Sequence, residues 1–288
     1  MLSRYVAYLI VSLFISFSLS VIADEQSQEA QKRAKFFANA NLQEKAPAAF
    51  ALQPQARDFL NNVSAKSFQQ ADKLVEAILA DSELKQALAK WPELSITQQL
   101  PYLRKIFALE CEVMAIEPPT LLIDTNTYPN RAVNFVFNTE FTGNIVDTGT
   151  VYLNPEKLTE QPHYGPLAFI IHETRHSYQY QLAQRNQPDV ISQAYKHAFI
   201  AQKQLSGFSF SDFLTLNNEY EAFLFGNYVV GRLTNWQVDI LNMGTYASQF
   251  DEQGQLKIDL PKMATSLSEN ESLLPHYNKA AEAQYLER

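Results

Sequence analysis

No glycine occurs between Met1 and Gly143, so the front half of this 288-residue chain lacks the residue that most readily takes a left-handed backbone. Such a stretch suits helices. The apolar spacing agrees. Phe68, Ala71, Val75, Ile78 and Leu79 recur at three- and four-residue steps and give a helix one apolar face. "SITQ", Ser95 to Gln98, reads as a capping box opening a further helix through Leu100, Leu103, Ile106 and Phe107. The helical region stops at "IEPPT", where Pro118 and Pro119 cannot donate to a helical ladder.

Beyond the prolines come three β-type runs, "TLLIDTN", "AVNFVFN" and "TGTVYLNP", with turns at Pro129-Asn130 and between Gly143 and Gly149. "HYGP" breaks the chain again and puts Pro166 at the first position of a helix expected to run to Gln184. Two further helices are expected over Gln193–Lys203 and Leu216–Leu233, and the tail should hold a turn at Gly254 and a short strand, "LKIDL". The expected fold is therefore α+β and mostly helical. A small sheet precedes one central helix, and a helical region covers residues 24–117 ahead of a domain at 118–288.

The first residues form a different unit. Arg4 precedes an uncharged apolar run from Leu9 to Ala23, and "VIA" before Asp24 offers small residues for cleavage. Residues 1–23 read as a secretory signal peptide, so the expected location is periplasmic or secreted. Contact with a membrane is expected only if that segment stays uncleaved as an anchor. Cys111 is the sole cysteine, which rules out an internal disulfide and leaves stability to the core. In "LECEV" it reads as a buried apolar residue, and Glu110 and Glu112 beside it disfavour a thiolate. The net charge of −8, without a Lys/Arg cluster, argues against nucleic acid as a partner.

Chemistry concentrates in "IIHETRHSYQYQ", residues 170–181. At about 100° per residue, His172 and His176 project side by side, and Gln179 and Ala183 share their stripe. That spacing suits two ligands of one tetrahedral zinc ion. Glu173 lies beside the stripe, where a carboxylate reaches water without being a ligand. Leu167, Ile170, Ile171, Tyr178 and Leu182 occupy the opposite face, so the helix should be packed behind and polar in front. The competing reading is a solvated helix with two incidental histidines. A structural zinc needs four protein ligands, usually with cysteines, so one cysteine favours a catalytic site of three ligands.

The third ligand is sought in "LNNEYEAFLFGNYVVGRL". Glu219 and Glu221 lie about 200° apart on a helix, so only one faces the histidines. Glu219 shares its side with Ala222 and Gly226, small residues that permit close helix approach, and is favoured; Glu221 remains the alternative. His163 and His197 read as ordinary turn or surface histidines.

"HETRH" followed by "NEYEAF" resembles the zincin metallopeptidases, and within them the gluzincin pattern, over about residues 119–235. "HExRHxYQ" is also similar to segments of bacterial zincin-like domains. The resemblance implies that 118–288 is a metallohydrolase domain holding one Zn²⁺ through His172, His176 and Glu219. Water would be the fourth ligand, Glu173 the general base, and a peptide or protein the substrate. It also implies that "TGTVYLNP" is the edge strand along which an extended substrate lies. Tyr220, Tyr228, Arg175 and His163 are open candidates for stabilising the oxyanion. Two departures stand out: gluzincins often carry an aspartate where this chain has Phe223, and Arg175 is uncommon inside the motif. The alternatives to a peptidase are an exported binding protein that kept the scaffold without catalysis, and an amidase acting on cell-wall peptides. Intact-mass measurement of exported protein should find a chain beginning at Asp24; retention of residues 1–23 would favour the anchor.

Overall fold

The computed structural model describes residues 39–138, 140–141, 147–204, 209–236, 249 and 256–286. The expected signal segment and the turns at Gly143 and Gly254 lie outside these residues. The described chain is mostly helical with one three-stranded sheet. The front half supplies α1 (Ala40–Lys45), α2 (Pro54–Ala80), α3 (Ser82–Leu88) and α4 (Ile96–Met114). On α2, Phe68, Ala71, Val75 and Ile78 are buried as their spacing requires, whereas Leu79 is exposed. Asp81 ends α2 and caps α3 by accepting from the backbone N–H groups of Glu83 and Leu84. The capping box of α4 forms between Ser95 and Gln98. With no glycine available, α4 closes on Ala115 at φ 51°, and the Ile116 N–H returns to the Cys111 carbonyl at 3.1 Å.

The strands are β1 (Thr120–Ile123), β2 (Val133–Val136) and β3 (Thr150–Leu153). β3 is central. It pairs parallel with β1, Thr120 opposite Thr150, and antiparallel with β2, Val133 opposite Leu153. The expectation that "TGTVYLNP" forms an edge strand is therefore corrected: both backbone edges of β3 are taken by neighbours. No extended substrate can add to it.

After the short α5 (Pro155–Leu158) comes the histidine helix α6 (Gly165–Gln184), then α7 (Val190–Gln204), α8 (Asp212–Thr215) and α9 (Asn217–Leu233). The ends expected for α6, α7 and α9 agree with these to within a few residues. The polar front expected for α6 does not exist as a solvated face. α4, α7, α9, β2 and β3 all pack against this helix, and Thr174, Arg175, Ser177, Gln179, Gln181 and Gln184 are buried with the apolar residues. These polar groups are hydrogen-bonded within the protein. Ser177 donates to the Thr148 carbonyl at 2.7 Å, and the Gln181 amide exchanges two hydrogen bonds with the Glu117 backbone.

One apolar core joins Phe59, Trp91 and Ile106 of the front region to Val151, Ile171 and Val230. It draws on both sides of residue 117. Cys111 lies within it, and burial, reinforced by Glu110, pushes its thiol up to about 12. A smaller cluster brings α1 (Leu42) and α8 (Phe213, Leu214) to the tail. The tail holds no "LKIDL" strand among the described residues. Leu256 makes a single bridge, and Asp259 caps α10 (Leu260–Thr265), where Pro261 suits the first turn. The chain then continues into α11 (Leu273–Leu286), whose Leu273, Tyr277 and Ala281 fill the small core. Among the described residues no helix is long and apolar enough to cross a membrane.

α9 approaches α6 at Gly226. A Cβ there would meet the Ala168 carbonyl at 3.8 Å and the His172 Cβ and nitrogen at 4.0 Å, ordinary contact distances. Gly226→Ala should therefore be accepted and stabilise the helix by about 0.5–1 kcal/mol. Gly226→Leu should destabilise by about 1–3 kcal/mol by forcing the helices apart. Denaturant midpoints of the two variants check both.

Candidate metal centre

His172 and His176 project from α6 because they are one helical turn apart, and Glu219 meets them from the first turn of α9. The Nε2 atoms of the two imidazoles are 3.0 Å apart. Glu219 Oε2 lies 3.3 Å from Nε2 of His172 and 3.4 Å from Nε2 of His176. Ligands held at 2.0–2.1 Å around a tetrahedral zinc ion stand about 3.3 Å from one another. The three atoms are spaced as three corners of that tetrahedron.

Two glutamines hold the cluster from behind. His176 Nδ1 is 2.8 Å from Gln179 Oε1, and the Gln179 amide nitrogen donates to the Asn218 carbonyl at 2.9 Å and to Glu221 Oε2 at 2.6 Å. Gln202 on α7 donates to Glu219 Oε1 at 3.0 Å and accepts from the Asn218 side chain at 3.2 Å. One Glu219 oxygen is thus occupied by Gln202 and the other is aimed at the histidines. Beside His172 the ring of Phe223 lies tilted, with its centroid 4.2 Å away. His172 Nδ1 is buried without a hydrogen-bond partner among the described residues.

Glu221 faces the other way. It receives Nε and Nη2 of Arg175 at 2.8–3.2 Å, with both side chains fully buried. Ser67 of α2 donates to the same carboxylate, and Gln70 accepts from Arg175 Nη1 at 2.9 Å. The guanidinium carbon lies 4.1 Å from the Tyr178 ring centroid and 4.2 Å from that of Phe225.

The electrostatics of the cluster favour a cation. Burial alone would lower the His176 pKa, but the Glu219 carboxylate outweighs it and raises the imidazole to about 9. Burial alone would raise Glu219, but the two imidazoles hold its carboxyl well below the ordinary carboxylate range. Three groups that together stabilise a shared positive charge fit a divalent metal, whose binding displaces the proton. His172, His176 and Glu219 also form the one cluster of metal-type donors among the described residues.

The remaining candidates separate. Glu173 sits half-buried on α6, and its charge acts on His176. His163 and His197 are exposed. Of the oxyanion candidates, Arg175 is committed to Glu221, and the Tyr228 hydroxyl donates to Asp72 at 2.9 Å. Sequence reading missed the functions of Gln179 and Gln202. Gln179 could be seen on the histidine stripe, whereas nothing in the chain marks Gln202, which reaches Glu219 only through the packing of α7.

Family models, curated proteins and solved structures were compared with this chain, and none matches it. The reading of the site stands on its geometry.

An imidazole with a higher pKa folded than unfolded stabilises the fold while protonated. In metal-free protein that contribution is complete below about pH 6.5, the unfolded value, and is lost as the pH rises through about 9. Thermal melts of chelator-treated protein should show a falling Tm across this window. Saturating zinc, which holds the imidazole deprotonated throughout, should remove the fall.

Proposed function

We propose that this protein is an exported zinc-dependent peptidase of zincin-like, gluzincin type. The observation that carries the reading is the convergence of His172 Nε2, His176 Nε2 and Glu219 Oε2 to 3.0–3.4 Å, with Glu173 on the same helix. His172 and His176 would hold the ion from one face and Glu219 from the other, leaving one position for water. When bound, zinc supplies Lewis acidity, which makes water nucleophilic near neutral pH and polarises a scissile carbonyl. Glu173 takes the proton from the attacking water and returns it to the leaving amine. Glu219, oriented by Gln202, neutralises part of the added positive charge. The apolar wall at Phe223 and the burial of both imidazoles keep bulk water from the site and strengthen its electrostatics. Arg175 and Tyr228, engaged elsewhere, take no part in binding the oxyanion.

The substrate of this reading is a peptide or protein, and its single cofactor is one zinc ion. Glu173→Gln should keep one zinc per chain while lowering amide hydrolysis by roughly 10²- to 10⁴-fold, the range for losing a general base. Metal analysis beside a peptide-library cleavage assay measures both. A variant that cleaves like wild type would remove Glu173 from the mechanism, and wild-type protein without zinc would remove the metal.

A further inference from the structure

Arg175 and Glu221 are the two charged residues of the sequence motifs that the proposed chemistry leaves without a task. We infer that this buried pair, acting through Gln179, fixes the tautomer of His176 so that its bare Nε2 lone pair faces Glu219 and His172. The inference rests on the zinc reading above for its consequence, but on hydrogen-bond geometry for its content.

Gln179 is fully buried, and its amide nitrogen lies 2.9 Å from the Asn218 carbonyl oxygen and 2.6 Å from Glu221 Oε2. A backbone carbonyl and a carboxylate only accept hydrogen bonds. Turning the amide over would set its own oxygen against both acceptors, so the nitrogen must face them. Oε1 is thereby forced toward His176 Nδ1, 2.8 Å away. An amide oxygen cannot donate, so Nδ1 must carry the hydrogen. A neutral imidazole carries only one. Its Nε2 is consequently bare, and that atom stands 3.0 Å from His172 Nε2 and 3.4 Å from Glu219 Oε2.

Glu221 remains an acceptor because of what surrounds it. Arg175 donates to both of its oxygens and Ser67 to one of them. Orientation therefore passes from guanidinium to carboxylate to amide to imidazole, all within buried side chains. Arg175, Glu221 and Gln179 are positioning residues, since none of them touches the ligand position. The presence of arginine directly before the second histidine acquires a reason: one helix residue reads Glu221 while the next is set by it. Metal-binding histidines commonly hand their second nitrogen to a carboxylate or carbonyl; here a glutamine amide stands between the imidazole and the carboxylate.

The tautomer can be read directly by ¹⁵N NMR of histidine-labelled, metal-free protein at a pH where His176 is neutral. Wild type should show the Nδ1–H form. Gln179→Met, which fills the space without an acceptor, should revert toward the Nε2–H form that an unconstrained imidazole prefers. Gln179→Glu should keep the wild-type form, because a carboxyl oxygen still accepts from Nδ1–H while either the introduced acid or Glu221 takes a proton. Zinc affinity, from competition with a chromophoric chelator, should fall roughly 10- to 100-fold in Gln179→Met and be largely restored in Gln179→Glu. Wild-type His176 in the Nε2–H form overturns the inference, as does Gln179→Met with an unchanged tautomer. If Gln179→Met fails to fold, the wild-type spectrum and Gln179→Glu still decide. A correct tautomer in a protein that takes up no zinc would support this assignment while removing the metal reading on which its consequence rests.

Discussion

Burying a guanidinium obliges a core to supply a counter-charge and enough acceptors, and much of this structure follows from meeting that demand at Arg175. A buried pair survives only when its geometry is good and the leftover donors are satisfied. Glu221 takes the Nε and Nη2 donors along one edge of the guanidinium, Gln70 takes Nη1, and Tyr178 and Phe225 cover its faces. The partners come from α2, α6 and α9, so satisfying one side chain fixes the mutual position of three helices. A second buried acid, Glu110 on α4, has no hydrogen-bond partner for either oxygen among the described residues. Burial pushes its carboxyl well above the ordinary carboxylate range; Arg175 opposes this and Glu221 adds to it. One carboxylate therefore balances one guanidinium, and burial favours the neutral form of the second acid.

The candidate metal centre is the other face of the same helix contact. Arg175 and His176 are adjacent on α6 and point to different sides; Glu221 and Glu219 are two apart on α9 and also diverge. When the helices meet, one carboxylate is delivered to the arginine and the other to the imidazoles. Asn218 joins the two sides, since its carbonyl accepts from Gln179 and its side chain donates to Gln202. The cluster that favours a cation is thus braced by a charge pair that has already been neutralised. Gly226 allows the approach, as it places no side chain between α9 and His172.

Several of these features were legible in the residues alone. The helical front half followed from apolar spacing and missing glycine, and the capping box at Ser95 and the stop at Pro118 marked the ends of α4. The four-residue histidine spacing implied the facing pair, and the 200° separation of Glu219 and Glu221 said that only one of them could join it. Other features were not legible for stated reasons. Strand order depends on which neighbours reach β3, and a strand carries no mark of how many of its edges are paired. The polar residues of α6 read as a wet face because periodicity cannot tell water from buried hydrogen-bond partners. "LKIDL" alternates like a strand, but Asp259 and Pro261 begin a helix there. Ile258 and Leu260 are nonetheless buried, and Leu256 half-buried.

The properties written into the chain itself are local: which segments are helical, where they start and stop, and that two imidazoles share one helix face. They depend on backbone sterics and on side-chain spacing within a turn or two. Helix packing settled the rest, namely which carboxylate meets the imidazoles, which one neutralises Arg175, and which amide lies behind each. These pairings join residues far apart in the chain, Arg175 with Glu221 across 46 positions and Gln179 with Glu221 across 42. Contacts of that range are set by how whole helices pack, because a buried charge or donor takes whichever partner the packing brings within reach.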